Sequence, residues 1–387
     1  MVEAVRKGLS MREVARQFRV SLLTVQRWVG RASGKRLDRV AWVDRPSGAP
    51  RPVNRTEVET ENLVLSVRGQ LAVGDLGDIG ADAIRTALIE QDIEHIPCAR
   101  TVGRILQRRG ILDGRRRVRR PPPPLGWYLP QVASGRAELD SFDTITGLIL
   151  RGGIEIEVLN GVSLHGGLTS SWPSRSITAS SVLASLLSRW KEFGLPVYAQ
   201  FDNGTIFHGP HHFPDTVSQV MRGCLLLGVT PVFAPPREPG LQNAVEGLNA
   251  RWQSKVWRRF EHASPAALEL RSQRWVTAVH LRSAARLDRS PPRVAFPQHF
   301  QLDLQTRPAG TIIFIRRTDD RGSASVLGHP FLIAPDWTNR LVRAEVDLDH
   351  SVIRFFALRR REPLHQPLLV VHPYSLPPHR HRIRLRH

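Results

Sequence analysis

Apolar residues follow two different periods along the middle of the chain, and together the two periods predict an α/β sheet. The apolar run 195–200 is short and follows Gly194, so we predict a buried strand that ends at Asp202. Further along, apolar residues recur at helical spacing between 245 and 256 and predict a helix with Glu246 in its first turn. The carboxyl end of a buried strand is where an α/β sheet presents its chemistry.

A third carboxylate lies upstream, in a segment that also has the pattern of a strand. If residues 137–143 are extended, Asp140 and Phe142 point to one side of the strand and Asp143 points to the other. The remaining elements predicted for this part of the chain are strands at 154–162 and 164–171, an amphipathic helix around 182–190, and a last helix at 264–285.

The sequence pattern of residues 1–44 predicts a small helical domain. Ser10 and Glu13 form a capping box ahead of one helix, and Ser21 is placed to cap a second helix. This is the spacing of a helix-turn-helix unit, and a plain helical hairpin is the alternative. Side chains of the second helix that face away from the core are expected to contact bases or phosphates of DNA; they are Thr24, Gln26, Arg27 and Arg31.

A second helical unit is predicted at residues 55–113, and a strongly basic segment follows it. Arg104 and Arg108 lie on its last helix and are expected to contact DNA. The linker 114–135 then carries a run of arginines ahead of four prolines: Arg115, Arg116, Arg117, Arg119 and Arg120. A polycation on a stiff polyproline segment cannot form a core, so we predict contact with the phosphate backbone, with a merely solvated linker as the alternative.

The C-terminal part of the chain changes to short apolar runs separated by Gly, Asp, Asn and Pro. This pattern of short apolar runs and turn residues predicts a small β-barrel at residues 305–372. The remaining residues, 373–387, form a basic tail.

The net charge is +20 and the isoelectric point is near 11.4, which indicates a polyanionic partner, nucleic acid being the commonest. A genome rich in GC would explain the excess of Arg over Lys, but it does not explain the net charge. No apolar run is long enough to span a membrane and no signal peptide is evident, so we expect a cytoplasmic, nucleoid-associated protein. Cys98 and Cys224 lack the spacing of a zinc site or a disulfide framework.

Asp140, Asp202 and the helix that begins Asn243-Ala244-Val245-Glu246 occur in the order seen in one family of enzymes. They resemble the catalytic motifs of DDE transposases and retroviral integrases, over roughly residues 136–292. The N-terminal unit resembles the helix-turn-helix of bacterial insertion-sequence transposases. The resemblance implies a multidomain protein with two α-helical helix-turn-helix units, an α/β RNase H-like catalytic core and a C-terminal small β-barrel.

The resemblance also implies the residues that carry the chemistry. Asp140, Asp202 and Glu246 would be the catalytic residues and the ligands of two Mg²⁺ or Mn²⁺ ions, with Asp143 as the alternative to Asp140. Two such ions, ~3.5–4 Å apart, activate the attacking oxygen and stabilise the leaving oxygen, and they prefer hard carboxylate ligands. Three residues of the Glu246 helix are expected to contact DNA: Asn249, Gln253 and Lys255.

The function implied by the resemblance is transposition. The protein would hydrolyse one strand at the element end, and the freed 3′-hydroxyl would attack a target phosphate in line. Its partners would be double-stranded DNA, both element ends and target, and at least one more copy of itself. Ala244 replaces the usual Gly, and the spacing from Asp202 to Glu246 is longer than usual. The alternative is a decayed transposase that acts only as a sequence-specific DNA-binding protein.

Overall fold

The structure is a computed structural model that describes residues 1–43, 56–112, 125–210, 213–235, 238 and 240–377. The chain divides into two compact units, Met1–Asn62 and Leu63–His387. The first unit contains the helices α1 (Val2–Arg6), α2 (Met11–Gln17) and α3 (Leu22–Ala32), whose apolar residues form two small clusters.

Helices α2 and α3 of the first unit begin at the predicted caps. Ser10 Oγ accepts a hydrogen bond from the backbone N–H of Glu13, and the Glu13 carboxylate accepts one from the backbone N–H of Ser10, which confirms the capping box. Ser21 Oγ accepts from the backbone N–H of Thr24 at 3.2 Å and caps α3. Two helices joined by a short turn are therefore present, and their use in DNA recognition stays a prediction.

The second unit opens with three helices that share one apolar cluster: α4 (Val58–Val73), which spans the division between the units, α5 (Ala81–Glu90) and α6 (Ala99–Arg108). Val64, Ile84 and Ile105 are fully buried at their contact. The basic residues of α6 lie on its opposite, exposed side.

A mixed sheet forms the centre of the second unit. Its strands are β1 (Leu139–Leu150), β2 (Ile154–Ser163), β3 (Thr169–Ser174), β4 (Tyr198–Phe201), β5 (Thr230–Phe233), β6 (Thr311–Arg317), β9 (Leu341–Asp347), β10 (Val352–Ala357) and β11 (Leu368–Pro373). In the described residues the order across the sheet is β3-β2-β1-β4-β5-β6-β9-β10-β11. β1 to β3 are antiparallel, and β4, β5 and β6 then run parallel to β1. This order is compatible with an RNase H-like core.

Helices cover both faces of this sheet. The short helices are α7 (Pro130–Ala133) and α9 (Thr205–His208), and the longer ones are α8 (Ala179–Phe193), α10 (Gln219–Leu226), α11 (Asn243–Trp252) and α12 (Pro265–Leu287). α8 and α10 contribute to the cluster around Phe142 and Phe201, and α11 and α12 to the cluster around Trp252. None of the helices in the described ranges is both long and apolar enough to cross a membrane.

The C-terminal strands form, but they pair differently from the closed barrel expected. β6 continues the core sheet beside β5, and β9, β10 and β11 extend it antiparallel. Only β7 (Ser323–Val326) and β8 (His329–Leu332) form a separate hairpin within the described residues. The reason is visible in β6, where four consecutive residues from Ile312 to Ile315 are buried, so both of its faces need cover. The expected barrel is not confirmed.

Candidate active site

β1 carries its two aspartates on opposite faces, because residues three apart on a strand point to opposite sides. Asp140 is fully buried against α8. Its carboxylate accepts hydrogen bonds from Arg189 Nε at 3.0 Å, from Arg293 Nη1 at 2.9 Å and Nη2 at 2.8 Å, and from Trp190 Nε1 at 3.1 Å. Both oxygens of Asp140 are therefore committed to partners inside the protein.

The electrostatics of Asp140 are those of a structural ion pair. Burial alone would raise the pKa of this carboxyl, but Arg189 and Arg293 together hold the pKa well below its usual range. The carboxylate stays charged and joins three parts of the chain: β1, α8 and the segment after α12. In this arrangement Asp140 offers no free oxygen to a ligand.

Asp143 lies near the end of the neighbouring parallel strand, where Asp202 follows β4. β1 and β4 pair in register through Ser141 and Gln200, and the same register continued for two residues sets Asp143 level with Asp202. Asp202 follows β4 directly and its Oδ1 accepts from the backbone N–H of Gly204 at 2.7 Å. The predicted strand with a carboxylate at its carboxyl end is confirmed.

α11 brings Glu246 to the same place from the side. Glu246 is exposed in the first turn of α11, and Asn249 lies one turn later on the same face. Asn249 Nδ2 donates to Asp143 Oδ2 at 2.8 Å, while its Oδ1 accepts from Asn160 Nδ2 at 2.8 Å. Asn160 is buried and stands directly opposite Asp143 in the β1–β2 pair. The two amides therefore fix the orientation of the Asp143 carboxylate.

The pKa of Asp143 reflects its burial and the two negative charges near it. Burial raises it first, and the charges of Asp202 and Glu246 raise it further, to about 6, against hydrogen bonds from Thr144 and Asn249 that lower it. A nearby cation would relieve this repulsion. The carboxylate oxygens of these residues are of the kind that Mg²⁺ and Mn²⁺ prefer.

Asp143, Asp202 and Glu246 do not form a complete metal site by themselves. Across the described residues, no group of three or more His, Cys, Asp and Glu side chains is gathered closely enough to hold a metal ion by itself. Magnesium sites of enzymes that act on phosphates use only one or two carboxylates, together with substrate phosphates and water. The residues present fit such a shared site in their chemistry.

The residues predicted to contact DNA from α3 have different surroundings. Gln26 and Arg27 are exposed, as contact with DNA would require. Thr24 is half-buried and its hydroxyl contacts Ser21 Oγ at 2.8 Å. Arg31 donates to the backbone oxygen of Val43 at 2.9 Å.

The other predicted contacts lie on α6, on and just after α11, and in the linker. Arg104 and Arg108 are exposed on α6. Gln253 Oε1 accepts from Arg258 Nη2 at 3.2 Å, and Lys255 Nζ donates to the backbone oxygen of Gly77 at 2.6 Å. Asn249 is held between Asp143 and Asn160. The arginine run lies outside the described residues: Arg115, Arg116, Arg117, Arg119 and Arg120.

Comparisons with known proteins find similar solved structures but no matching sequence family. No family model matches the chain, and no curated protein matches it. Among solved structures it is similar to a chain of the simian T-cell lymphotropic virus intasome in complex with PP2A regulatory subunit B56 gamma, at 15% identity and a TM-score of 0.35, over 70% of this chain and 87% of that chain. It is also similar to the catalytic core domain of BIV integrase, at 18% identity and a TM-score of 0.26, over 36% of this chain and 81% of that chain. With TM-scores this low, neither likeness assigns a function.

Proposed function

We propose that this protein is a metal-dependent DNA strand transferase whose catalytic carboxylates are Asp143, Asp202 and Glu246. The observation that supports the proposal is that Asp143 on β1 feels the charges of both Asp202, just after β4, and Glu246, on α11, and that the strand register sets Asp143 level with Asp202. Asp143 replaces Asp140, the residue favoured from the sequence, because Asp140 is buried on the other face of β1 and paired with two arginines.

Each residue has a separate task in this proposal. Asn249 and Asn160 hold the Asp143 carboxylate in one orientation, and the Gly204 N–H does the same for Asp202. Glu246 is exposed at the start of a helix, so its side chain is free to adjust to a substrate. When two divalent ions are bound, they supply an activated oxygen nucleophile and stabilise the leaving oxygen.

Double-stranded DNA is the substrate class that the charge supports. The net charge of +20 favours a polyanion, and Gln26, Arg27, Arg104 and Arg108 present exposed donors for bases and phosphates. Work on two element ends requires two copies of the site, so we propose at least a dimer on DNA.

A second candidate is a DNA-binding protein without cleavage activity. It is favoured by the lack, among the residues that the structure describes, of a preassembled cluster of metal-ligating side chains. This candidate keeps the basic helices and discards the chemistry of Asp143, Asp202 and Glu246.

Nicking of supercoiled plasmid in Mn²⁺ distinguishes the two candidates. Wild-type protein is expected to nick the plasmid with Mn²⁺ and not in excess chelator. Asp143→Asn and Glu246→Gln should each lower the rate by at least about 100-fold, since each removes several kcal/mol of transition-state stabilisation. The matched control is Glu261→Gln, the same change at an exposed glutamate that pairs with Arg151 on the surface.

The control and the unmutated protein decide the outcome. Glu261→Gln should nick like the wild type. Equal nicking by Glu246→Gln and the wild type would remove Glu246 from the site. If wild-type protein binds DNA but does not nick it in Mn²⁺, the DNA-binding candidate is correct.

A further inference from the structure

A cavity of about 620 Å³ opens beside Asn203, the residue that follows Asp202. It lies between the end of β6, the hairpin of β7 and β8, and the segment before α10. Small-molecule sites in proteins are of about 300–1,000 Å³, so the cavity is large enough for a nucleotide. The cavity lies next to the turn at Asp202. A charged side chain in its wall would therefore act on a substrate bound at the proposed catalytic site.

Arg316 is the unusual residue in the wall of this cavity. Its Nε donates to the backbone oxygen of Ser325 at 3.2 Å, its Nη1 to the backbone oxygen of Ile315 at 2.9 Å, and its Nη2 to Asn203 Oδ1 at 3.1 Å. All three acceptors are neutral, and none of the ion pairs found in the described residues includes Arg316. A guanidinium has more N–H donors than these three contacts use, so donors remain for a ligand.

Burial makes this lack of a counterion costly. It lowers the pKa of the Arg316 guanidinium to about 10, so the side chain is still a cation at neutral pH. A partly desolvated charge without an opposite charge destabilises the fold, and an anion that enters the cavity would offset that cost.

The neighbouring charges do not supply the missing anion. Arg317 also lines the cavity and forms an ion pair with Glu238 at 2.5 Å. Among the described lining residues, Glu238 is the one that carries a carboxylate, and this carboxylate is already paired with Arg317. The described wall therefore keeps a positive charge at Arg316.

We propose that this cavity binds a phosphate group of a nucleic acid strand through Arg316. Arginine suits a phosphate because its planar donors match two phosphate oxygens at once. Asn203 links Arg316 to the Asp202 turn, so the bound phosphate belongs to a nucleotide near the one that reacts. The identification of the anion as part of a DNA strand rests on the proposed function.

Binding of a fluorescent DNA duplex in excess chelator tests the site without any need for cleavage. Arg316→Gln is expected to weaken binding about tenfold, as for the loss of a charged hydrogen bond. It should also reduce the slope of log K against log salt by about 0.9, the value for one phosphate. Arg316→Lys should retain most of the slope. The control is Arg321→Gln, which removes an equal charge from an exposed arginine at the turn before β7.

A second variant leaves Arg316 in place, in case Arg316→Gln loses its fold. Ser325 is exposed and lines the cavity, so Ser325→Glu introduces a carboxylate that can pair with Arg316. It should weaken duplex binding as much as Arg316→Gln, whereas Ser325→Gln, of the same size without the charge, should bind like the wild type.

The results separate this proposal from the proposed function. Equal affinity and slope for Arg316→Gln and Arg321→Gln would overturn the site, even if the wild type nicks plasmid. A loss of binding in Arg316→Gln together with no nicking by the wild type would uphold the site and reject the catalytic function. Inorganic phosphate that stabilises the wild type, with no effect of Arg316→Gln on duplex binding, would assign the cavity to a free anion and overturn the assignment to a strand.

Discussion

Asp140 and Asp143 carry the same carboxyl group, and their positions on β1 give the two groups opposite properties. Asp140 meets Arg189 and Arg293 in the interior, and its pKa falls well below the usual range. Asp143 meets Asp202 and Glu246, and its pKa rises to about 6. The same substitution to Asn is therefore expected to change the stability of the protein in opposite directions at the two positions.

Asp143→Asn should stabilise the protein above pH 6 in the absence of divalent metal. An unfolded aspartate titrates near about 3.9, while folded Asp143 titrates at about 6, so the folded state binds the proton more tightly. The stability that this carboxyl contributes is fully present below about pH 4 and is lost as pH rises to about 6. Urea unfolding at pH 7.5 in chelator should show a gain of about 1–2 kcal/mol for the variant.

Two further measurements check the same prediction. At pH 4 the variant and the wild type should have similar free energies of unfolding. Mg²⁺ should raise the melting temperature of the wild type more than that of Asp143→Asn, because the ion relieves the same repulsion. A variant that is less stable than the wild type at both pH values would show that the crowding of Asp143 with Asp202 and Glu246 does not exist.

Asp140→Asn should destabilise the protein by about 3–5 kcal/mol at neutral pH, since it leaves the buried Arg189 and half-buried Arg293 without their counterion. The folded pKa of Asp140 is depressed, so its stabilisation is present above about pH 3.9 and is lost as pH falls. The difference between variant and wild type should therefore shrink in acid. Urea unfolding at pH 7 gives the measurement, and a change under about 1 kcal/mol would contradict the ion pair.

The sequence predicts that Asp140 and Asp143 face opposite ways, but not which face meets Asp202. That choice depends on α8 and the segment around residue 293, which supply the two arginines from distant parts of the chain. Asn160 was missed for the same reason, because its contact depends on the β1–β2 register. Arg316 has no local signal at all, since an arginine in a basic chain is ordinary until its partners are known.

At the scale of elements, local signals predict the helices well and the strand partners poorly. The predicted capping box at Ser10 and the predicted cap at Ser21 mark helix starts in the structure, because caps act within one turn, and Ser264 caps the helix predicted over 264–285. The C-terminal strands also form where expected. Their pairing with β5 could not be predicted from alternation, since alternation fixes faces and not neighbours.

Charged pairs hold the loop between α4 and α5 against the core. It contacts the core through several charged pairs, in which Asp75 lies 3.0 Å from Arg271 and Asp78 lies 3.1 Å from Arg282. The pairs are partly exposed, so Asp75→Asn with Asp78→Asn should cost less than about 2 kcal/mol in total. Amide hydrogen exchange should nevertheless become faster in residues 70–80 and around Lys255, because these contacts hold the loop.

A matched change at Asp92, an exposed aspartate outside these pairs, controls for the loss of charge. Asp92→Asn should leave exchange in residues 70–80 unchanged. Unchanged exchange in the double variant would show that apolar contacts, and not the ion pairs, hold the loop.

For the whole molecule, a net charge of +20 should make the proposed binding to DNA sensitive to salt, since each phosphate contact releases counterions. Charge alone does not select a sequence. The exposed side chains Gln26 and Arg27 of α3 are in the first compact unit, while the candidate catalytic carboxylates are in the second. Recognition and cleavage can therefore be tested by separate substitutions.

Gln26→Ala with Arg27→Ala should remove preference for the element end and leave cleavage chemistry intact. A good bidentate base contact contributes ~1–3 kcal/mol of discrimination, so specific binding should fall at least about tenfold while binding to unrelated DNA changes little. Glu246→Gln should do the opposite, with normal binding and a cleavage rate at least about 100-fold lower, because it removes one charge from the proposed metal ligands. Competition binding with element-end and unrelated duplexes, alongside plasmid nicking in Mn²⁺, measures both properties on the same proteins. If the double variant keeps its preference for the element end, α3 is not the recognition helix, and the exposed arginines of α6 become the next residues to replace.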